Sequence, residues 1–350
     1  MIVSSRTRLL FVVAGVSSSL ALAACGNGGD ASTSSGNARS GGTLTLYSGQ
    51  HEEMTNALVA AFEQQTGAKV RVRFGEEPEL ANQIAAEGSA SPADVFFTEN
   101  APPLTALSDK GLLAPVNAAA LKQVPSSDNA ANGQWLGVAA RETALIYNPR
   151  SLPANQLPTS ILDLSKPQWK GKLALAPAEV DFVPVVEAVD KLKGEGTARD
   201  WLKGFAANAE RYDDNEGIVD AVERGKVAAG VINHYYWFRA AAEIGQSKMS
   251  SRLHYFGHQD PGALVDVSGA AALKSSKNPQ LAQRFLSFLV SQGGQQAMVD
   301  SGDWEYPLAK GVEPLAGLKP FDSLQPPNIS AAQLGDDHDA LSLLQQAGLI

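Results

Sequence analysis

The chain contains one cysteine in 350 residues. A lone thiol excludes a disulfide framework and a thiolate metal site. Basic residues are also scarce, with 28 Lys and Arg set against 37 Asp and Glu. Nucleic-acid partners need clustered cations to hold phosphates, so this balance argues against them. The apolar run at residues 9–23 is too short to span a bilayer unaided. There is no internal repeat, phosphate-cradling glycine loop, nucleophile elbow or His-Glu-x-x-His pair. No enzymatic activity is expected from such a chain.

What is present begins with an export signal. Arg6 and Arg8 precede the apolar run, which ends in Leu22-Ala23-Ala24-Cys25 before Gly26. This ending resembles a bacterial lipobox, in which the cysteine is lipidated and becomes the mature N-terminus. Residues 1–24 are therefore expected to be a lipoprotein signal peptide and Cys25 the lipidation site. Residues 25–42, rich in Gly, Ser, Asn and Thr, read as a flexible tether. The mature protein is expected on the outer face of the cytoplasmic membrane, held by its lipid alone. Loss of Arg6 and Arg8 leaves 26 basic residues against 37 acidic ones, a net charge of −11 rather than −9. An acidic exported protein is compatible with a cationic cargo, although surface acidity specifies none.

From Thr43 onward about 300 residues remain, which suits two lobes better than one core. Thr43-Leu44-Thr45-Leu46-Tyr47 alternates as a strand, and residues 52–65 carry Met54, Leu58, Ala61 and Phe62 on one helical face, stopped by Gly67. Residues 69–74 alternate again, 80–87 are helical and 94–98 form a short strand. This β-α-β-α-β order predicts an α/β sheet with helices on its faces. A second unit follows, with strand-like runs at 139–147, 173–176 and 227–232 and helical patterns at 184–193, 197–207 and 218–224. Residues 263–272 are apolar and extended, 279–290 are helical, and 330–349 suggest one or two closing helices.

Candidate ligands fall at strand ends, where open α/β sheets bind their partners. His51 lies just past the first strand, Glu99 just past the third, and Tyr235 and Tyr236 just past the strand at 227–232. Alone, the Tyr235-Tyr236-Trp237-Phe238 run also fits packing aromatics. A strand would send the two tyrosines to opposite faces, whereas a turn into a helix could aim both at one point. Pro102 and Pro103 argue against a helix starting just after Glu99. Two phenols, a carboxylate and an imidazole are poor in the sulfur and nitrogen that zinc favours and in the carboxylates that calcium favours. Hard oxygens suit a strongly charged cation, of which Fe(III) is the common one. Two phenolates and a carboxylate would match its three charges.

These stretches resemble the ferric-ion-binding proteins of bacterial iron ABC transporters. The likeness is carried by Tyr47-Ser48-Gly49-Gln50-His51, Pro92-Ala93-Asp94-Val95-Phe96-Phe97-Thr98-Glu99, Trp169-Lys170-Gly171-Lys172, Ile232-Asn233-His234-Tyr235-Tyr236-Trp237 and His258-Gln259-Asp260-Pro261-Gly262-Ala263-Leu264-Val265. It extends through residues 269–278 and the ending Gln346-Ala347-Gly348-Leu349. The resemblance implies a two-lobed type II periplasmic binding protein fold, kin to a transferrin lobe, with mixed sheets and a ligand cleft between lobes. Lobe 1 is expected over residues 43–141 and 266–316, lobe 2 over 142–265 and 317–350. It also implies Fe(III) ligation by His51, Glu99, Tyr235 and Tyr236, partnership with an ABC permease and ATPase, and a monomer.

In that family a synergistic anion such as phosphate often completes the coordination. Asn215 and Asn233 fall where anion-binding amides are expected, with Asn100 and Arg141 as further candidates near the anion. The family's Thr-Ser-Gly-Ala loop is replaced here by Ala178-Glu179-Val180-Asp181. Two carboxylates would repel phosphate, so Glu179 or Asp181 could stand in for the anion, or carbonate or water could fill the place. A small organic cargo (polyamine, phosphonate or another anion) is the alternative reading. Such a cargo would call for an Arg or amide cage or aromatic walls.

Overall fold

The computed structural model describes residues 41–350. The signal peptide, Cys25 and all but the last two tether residues lie outside the described residues. Among the described residues there are ten strands: β1 (Thr43–Ser48), β2 (Lys69–Phe74), β3 (Val95–Thr98), β4 (Leu136–Tyr147), β5 (Leu173–Leu175), β6 (Ala209–Arg211), β7 (Ala229–Asn233), β8 (Arg252–His254), β9 (Val265–Ala272) and β10 (Tyr306–Pro307). They pair in the order β2-β1-β3-β9-β4-β7-β5-β6, with β8 and β10 also on β4. The sheet is mixed: β1 is parallel to β2 and β3, whereas β9 runs antiparallel to β3 and β4.

Two lobes share β4. Its first half, Leu136 to Glu142, pairs with β9 in the first lobe, and its second half, Thr143 to Tyr147, pairs with β7 in the second. The first lobe buries Leu44, Leu46, Phe62, Phe96, Phe97 and Phe285 in one core. β2, an edge strand, keeps Lys69, Arg71 and Arg73 on its outward face, which discourages pairing with another chain. In the second lobe, alternation along each strand feeds opposite faces of the sheet. Leu145, Leu173, Leu175 and Val231 join one core with Trp201 and Phe205. Ile146, Ala174 and Ile232 join another, against the aromatic helix that follows β7.

Most expected elements form, with shifted ends. In the tail, Leu324 and Ala331 pack in the first core, whereas Leu334, Ala340, Leu343 and Leu344 pack in the second. The expectation against a helix after Glu99 is corrected. A helix spans Pro102–Asp109 with its prolines in the first turn. There, no intrahelical partner awaits a backbone N–H, so proline's missing donor costs nothing.

Glu142 marks the crossover between lobes. It is fully buried, and neither carboxylate oxygen has a hydrogen-bond partner. Burial, weakly opposed by Lys319, pushes its carboxyl up from 4.5 to about 8. Between these values the native state holds a proton that the unfolded chain has lost, so stability falls as pH rises through this window. We expect Glu142→Gln to flatten this slope and to stabilise the protein above pH 8 by up to about 5 kcal/mol relative to the native residue. Urea unfolding between pH 5 and pH 9 measures it.

Candidate metal centre

The tyrosine pair is placed by an abrupt change from strand to helix. β7 ends at Asn233 and the helix His234–Ile244 begins at once, so Tyr235 and Tyr236 occupy its first turn. Their rings lie 4.2 Å apart, tilted by 32°. Both hydroxyls converge on one atom, Asp181 Oδ2, at 3.0 Å from Tyr235 and 2.9 Å from Tyr236. The helix Asn215–Glu223 packs closely on β7 because residue 230 is glycine: a Cβ there would come within 2.3 Å of the Ile218 side chain. That approach lets the Asn215 amide donate to Asp181 Oδ2 at 3.3 Å.

The first lobe supplies the facing wall. His51 follows β1 and Glu99 follows β3, as the strand-end reading expects. His51 Nε2 lies 3.1 Å from Glu99 Oε1, and Tyr235 Oη lies 2.7 Å from that same oxygen. His51 Nδ1 is held at 2.8 Å by Asp303. A ring nitrogen pinned in this way fixes the direction of the other, as metal-binding imidazoles require. The Glu99 loop is fixed from behind by buried Glu77, which accepts the Glu99 and Asn100 backbone N–H groups at 2.8 and 3.0 Å.

Arg141 lies beneath both walls with no solvent exposure. Its Nη2 donates to Asn100 Oδ1 at 2.5 Å and its Nη1 to Ser268 Oγ at 3.0 Å. Carboxylates of Asp181, Asp266 and Glu305 stand 3.5, 3.5 and 3.9 Å from the guanidinium. Glu305 is tied in by Ser268, which donates to it at 2.9 Å, and by Gln50 at 3.3 Å.

Electrostatics keep protons on the phenols and raise Asp181, while Glu99 stays ionised. Burial would keep Glu99 protonated, but the charge and hydrogen bond of His51 outweigh it and hold the carboxyl well below its usual range. Burial and the Glu99 charge push Asp181 up to about 7, against the pull of Arg141. Burial, then the Asp181 and Glu99 charges, hold both phenols well above 10. His51 is raised because Glu99 more than offsets the cost of burying its charge. A highly charged cation in such a nest displaces protons from phenols and carboxyls together.

His51, Glu99, Tyr235, Tyr236, Asp181, Asn215, Asn100 and Arg141 thus meet in one network. Glu179 is half-buried on the loop beside Asp181, and burial and the Asp181 charge raise it to about 7. Among the described residues it makes no side-chain hydrogen bond to the tyrosines. Asn233 is buried at the end of β7, paired in register with Thr143, and its amide makes no hydrogen bond to the network. His234 is buried: its Nδ1 accepts the Glu142 N–H and its Nε2 meets the Trp304 carbonyl. Sequence reasoning missed Glu77, Asp303 and Glu305. The last two flank Trp304, whose φ of 63° sets a sharp turn ahead of the short β10, so no periodicity marked them.

A family model described as bacterial extracellular solute-binding protein matches residues 57–320. The chain belongs to the bacterial extracellular solute-binding proteins. Within this family it is 41% identical over 307 residues to the "Fe(3+)-binding periplasmic protein" of Serratia marcescens, covering 88% of this chain and 90% of that one. It is 39% identical to the "Major ferric iron-binding protein" of Neisseria meningitidis serogroup B, over 87% of this chain and 93% of the relative. Among solved structures, iron-bound HitA from Pseudomonas aeruginosa superposes with a TM-score of 0.84 at 46% identity, covering 88% of this chain and 99% of that one.

Removing Arg141 should expose how much buried charge it compensates. Arg141→Met leaves Asp181, Asp266 and Glu305 without their cation, and we expect a loss of about 3–5 kcal/mol at neutral pH. The loss should shrink in acid, where Asp181 and Asp266, raised to about 7 and about 6, protonate. Urea midpoints at pH 5 and pH 7.5 provide the comparison.

Proposed function

We propose that this protein captures Fe(III) outside the cytoplasmic membrane and delivers it to an ABC-type importer. One observation carries the reading. The donor-to-donor distances linking His51, Glu99, Tyr235, Asp181 and Tyr236 run 3.1, 2.7, 3.0 and 2.9 Å. Ligands about 2.0–2.1 Å from a small octahedral cation lie roughly 2.8–3.0 Å apart along each edge. The five donors thus converge within hydrogen-bond reach of one another, close enough to share one such cation, and match the hard chemistry of ferric iron. The names of the Serratia, Neisseria and Pseudomonas relatives support the same cargo. An anionic cargo would meet the charges of Glu99, Asp266 and Glu305 with Arg141 already shared among them.

In this reading His51, Glu99, Tyr235 and Tyr236 ligate iron, and Asp181 takes the place of a synergistic anion. Asp181, not Glu179, faces the phenols, and Asn215 and Arg141 orient it. Carbonate or water could complete the remaining coordination. The protein acts as a binding protein and monomer, tethered by lipid at Cys25 and docking on a permease with its ATPase. The lobes divide near Arg141 and Asp266, a division supported by the paired strands β4 and β9 crossing there. The two walls already touch, with Tyr235 Oη 2.7 Å from Glu99 Oε1, so the lobes would part to admit the metal and close again over it.

Adding Fe(III) to purified protein should give an orange to purple colour from phenolate-to-iron charge transfer. Phe at both Tyr235 and Tyr236 should abolish it, and a colourless native protein would end the iron reading. Asp181→Asn should weaken iron binding about 10–100-fold, as loss of an anionic group at a metal centre does. Native affinity should be indifferent to added phosphate, while the Asn variant should gain affinity from it. Phosphate dependence in the native protein, read by competition with a chelator, would overturn the role of Asp181.

A further inference from the structure

Outside the metal centre lies a second space that its chemistry does not use. It has a volume of about 560 Å³ and opens between the lobes, with Tyr236 and Asp303 in its wall. Both residues also belong to the centre: the Tyr236 hydroxyl binds Asp181, and Asp303 holds His51. The chamber therefore adjoins the site, sharing two of its side chains. Tyr236 retains 9% of its surface exposure, whereas Tyr235 has none.

The charge on this wall is one-sided. Its only base among the described residues is Arg239, which is committed to Asp303 and lies 4.7 Å from the centre of the Tyr235 ring. Asp220 is paired with Arg224, and Glu223 accepts the backbone N–H groups of Ser250 and Ser251. That leaves Glu53, from the first lobe, and Glu216 and Glu243, from the second, exposed and without an ion-pair partner among the described residues. Glu53 and Glu216 sit in first turns of helices, where an acid is favourable. Glu243 does not: it occupies the last turn of the helix His234–Ile244, a turn with no basic residue. An acid there opposes the helix dipole, so local helix stability does not account for it.

We propose that this chamber is the entrance to the metal centre, and that its acidic wall selects iron presented as an uncharged or cationic species over iron held in an anionic chelate. The proposal rests on the iron reading above. A cleft lined by charge of one sign concentrates counter-ions and repels like charge, and salt screens both effects. Glu53, Glu216 and Glu243 set the charge preference, and Tyr236 is the first ligand an incoming ion meets.

Stopped-flow absorbance of the phenolate–iron band tests this with three probes. Ferric tris(acetohydroxamate) is uncharged near neutral pH, ferric citrate is anionic, and cobalt(III) hexaammine is an inert trivalent cation that phenolates cannot ligate. In the native protein, cobalt hexaammine should slow capture from ferric tris(acetohydroxamate), and added salt should speed capture from ferric citrate. The triple variant Glu53→Gln, Glu216→Gln, Glu243→Gln should take iron from ferric citrate about threefold to tenfold faster and lose its sensitivity to cobalt hexaammine. Its band should keep the native position and amplitude. A variant with the native ratio of the two capture rates and undiminished cobalt sensitivity would overturn the entrance while leaving the iron reading standing. A native protein that develops no band overturns both.

Discussion

The structure depends on holding several carboxylates together in a place that water barely reaches. Glu99, Asp181, Asp266 and Glu305 are all at least nine-tenths buried around a single fully buried guanidinium, that of Arg141. Removing like charges from water costs several kcal/mol each, and their mutual repulsion adds to it. The fold manages this with Arg141 beneath, His51 at the rim, a lattice of Ser268, Gln50 and Asn100, and protons retained where no cation balances the charge. These compromises leave a region of excess negative potential where oxygen and nitrogen donors from both walls meet, and a cation placed there would relieve the repulsion.

The crossover strands make that conflict serve capture. β4 belongs to both lobes, and Arg141 and Glu142 sit where its partner changes from β9 to β7. One lobe offers His51 and Glu99, the other Tyr235, Tyr236 and Asp181. Neither side alone gathers all five groups, which meet only where the two walls touch. Placing the compensating arginine at the crossover keeps it within reach of acids from both sides.

Much of the site was legible in the sequence because strand ends are local events. A strand followed by a break shows as alternation followed by a turn or cap, and His51, Glu99, Tyr235 and Tyr236 stand at such points. The tyrosine pair was ambiguous until the helix start at His234 was seen, because adjacent residues diverge on a strand and share a face only in the helical turn. The Pro102–Asp109 helix was misread for a related reason. Two prolines break a helix interior, but the first turn has no donor to lose.

By itself, the sequence determined the α/β class, the two-unit order, the excess of acid and the donors at the strand ends, because each is written in local periodicity or residue type. Tertiary structure alone decided which acids meet those donors. Asp181 was separated from Glu179 only by the packing of the Asn215 helix on Gly230, which turned one carboxylate toward the phenols. Asp303 and Glu305 joined His51 from some 250 positions away along the chain. No periodicity encodes such pairings: they follow from strand order and lobe closure, and their energies depend on burial that exists only once the chain has folded.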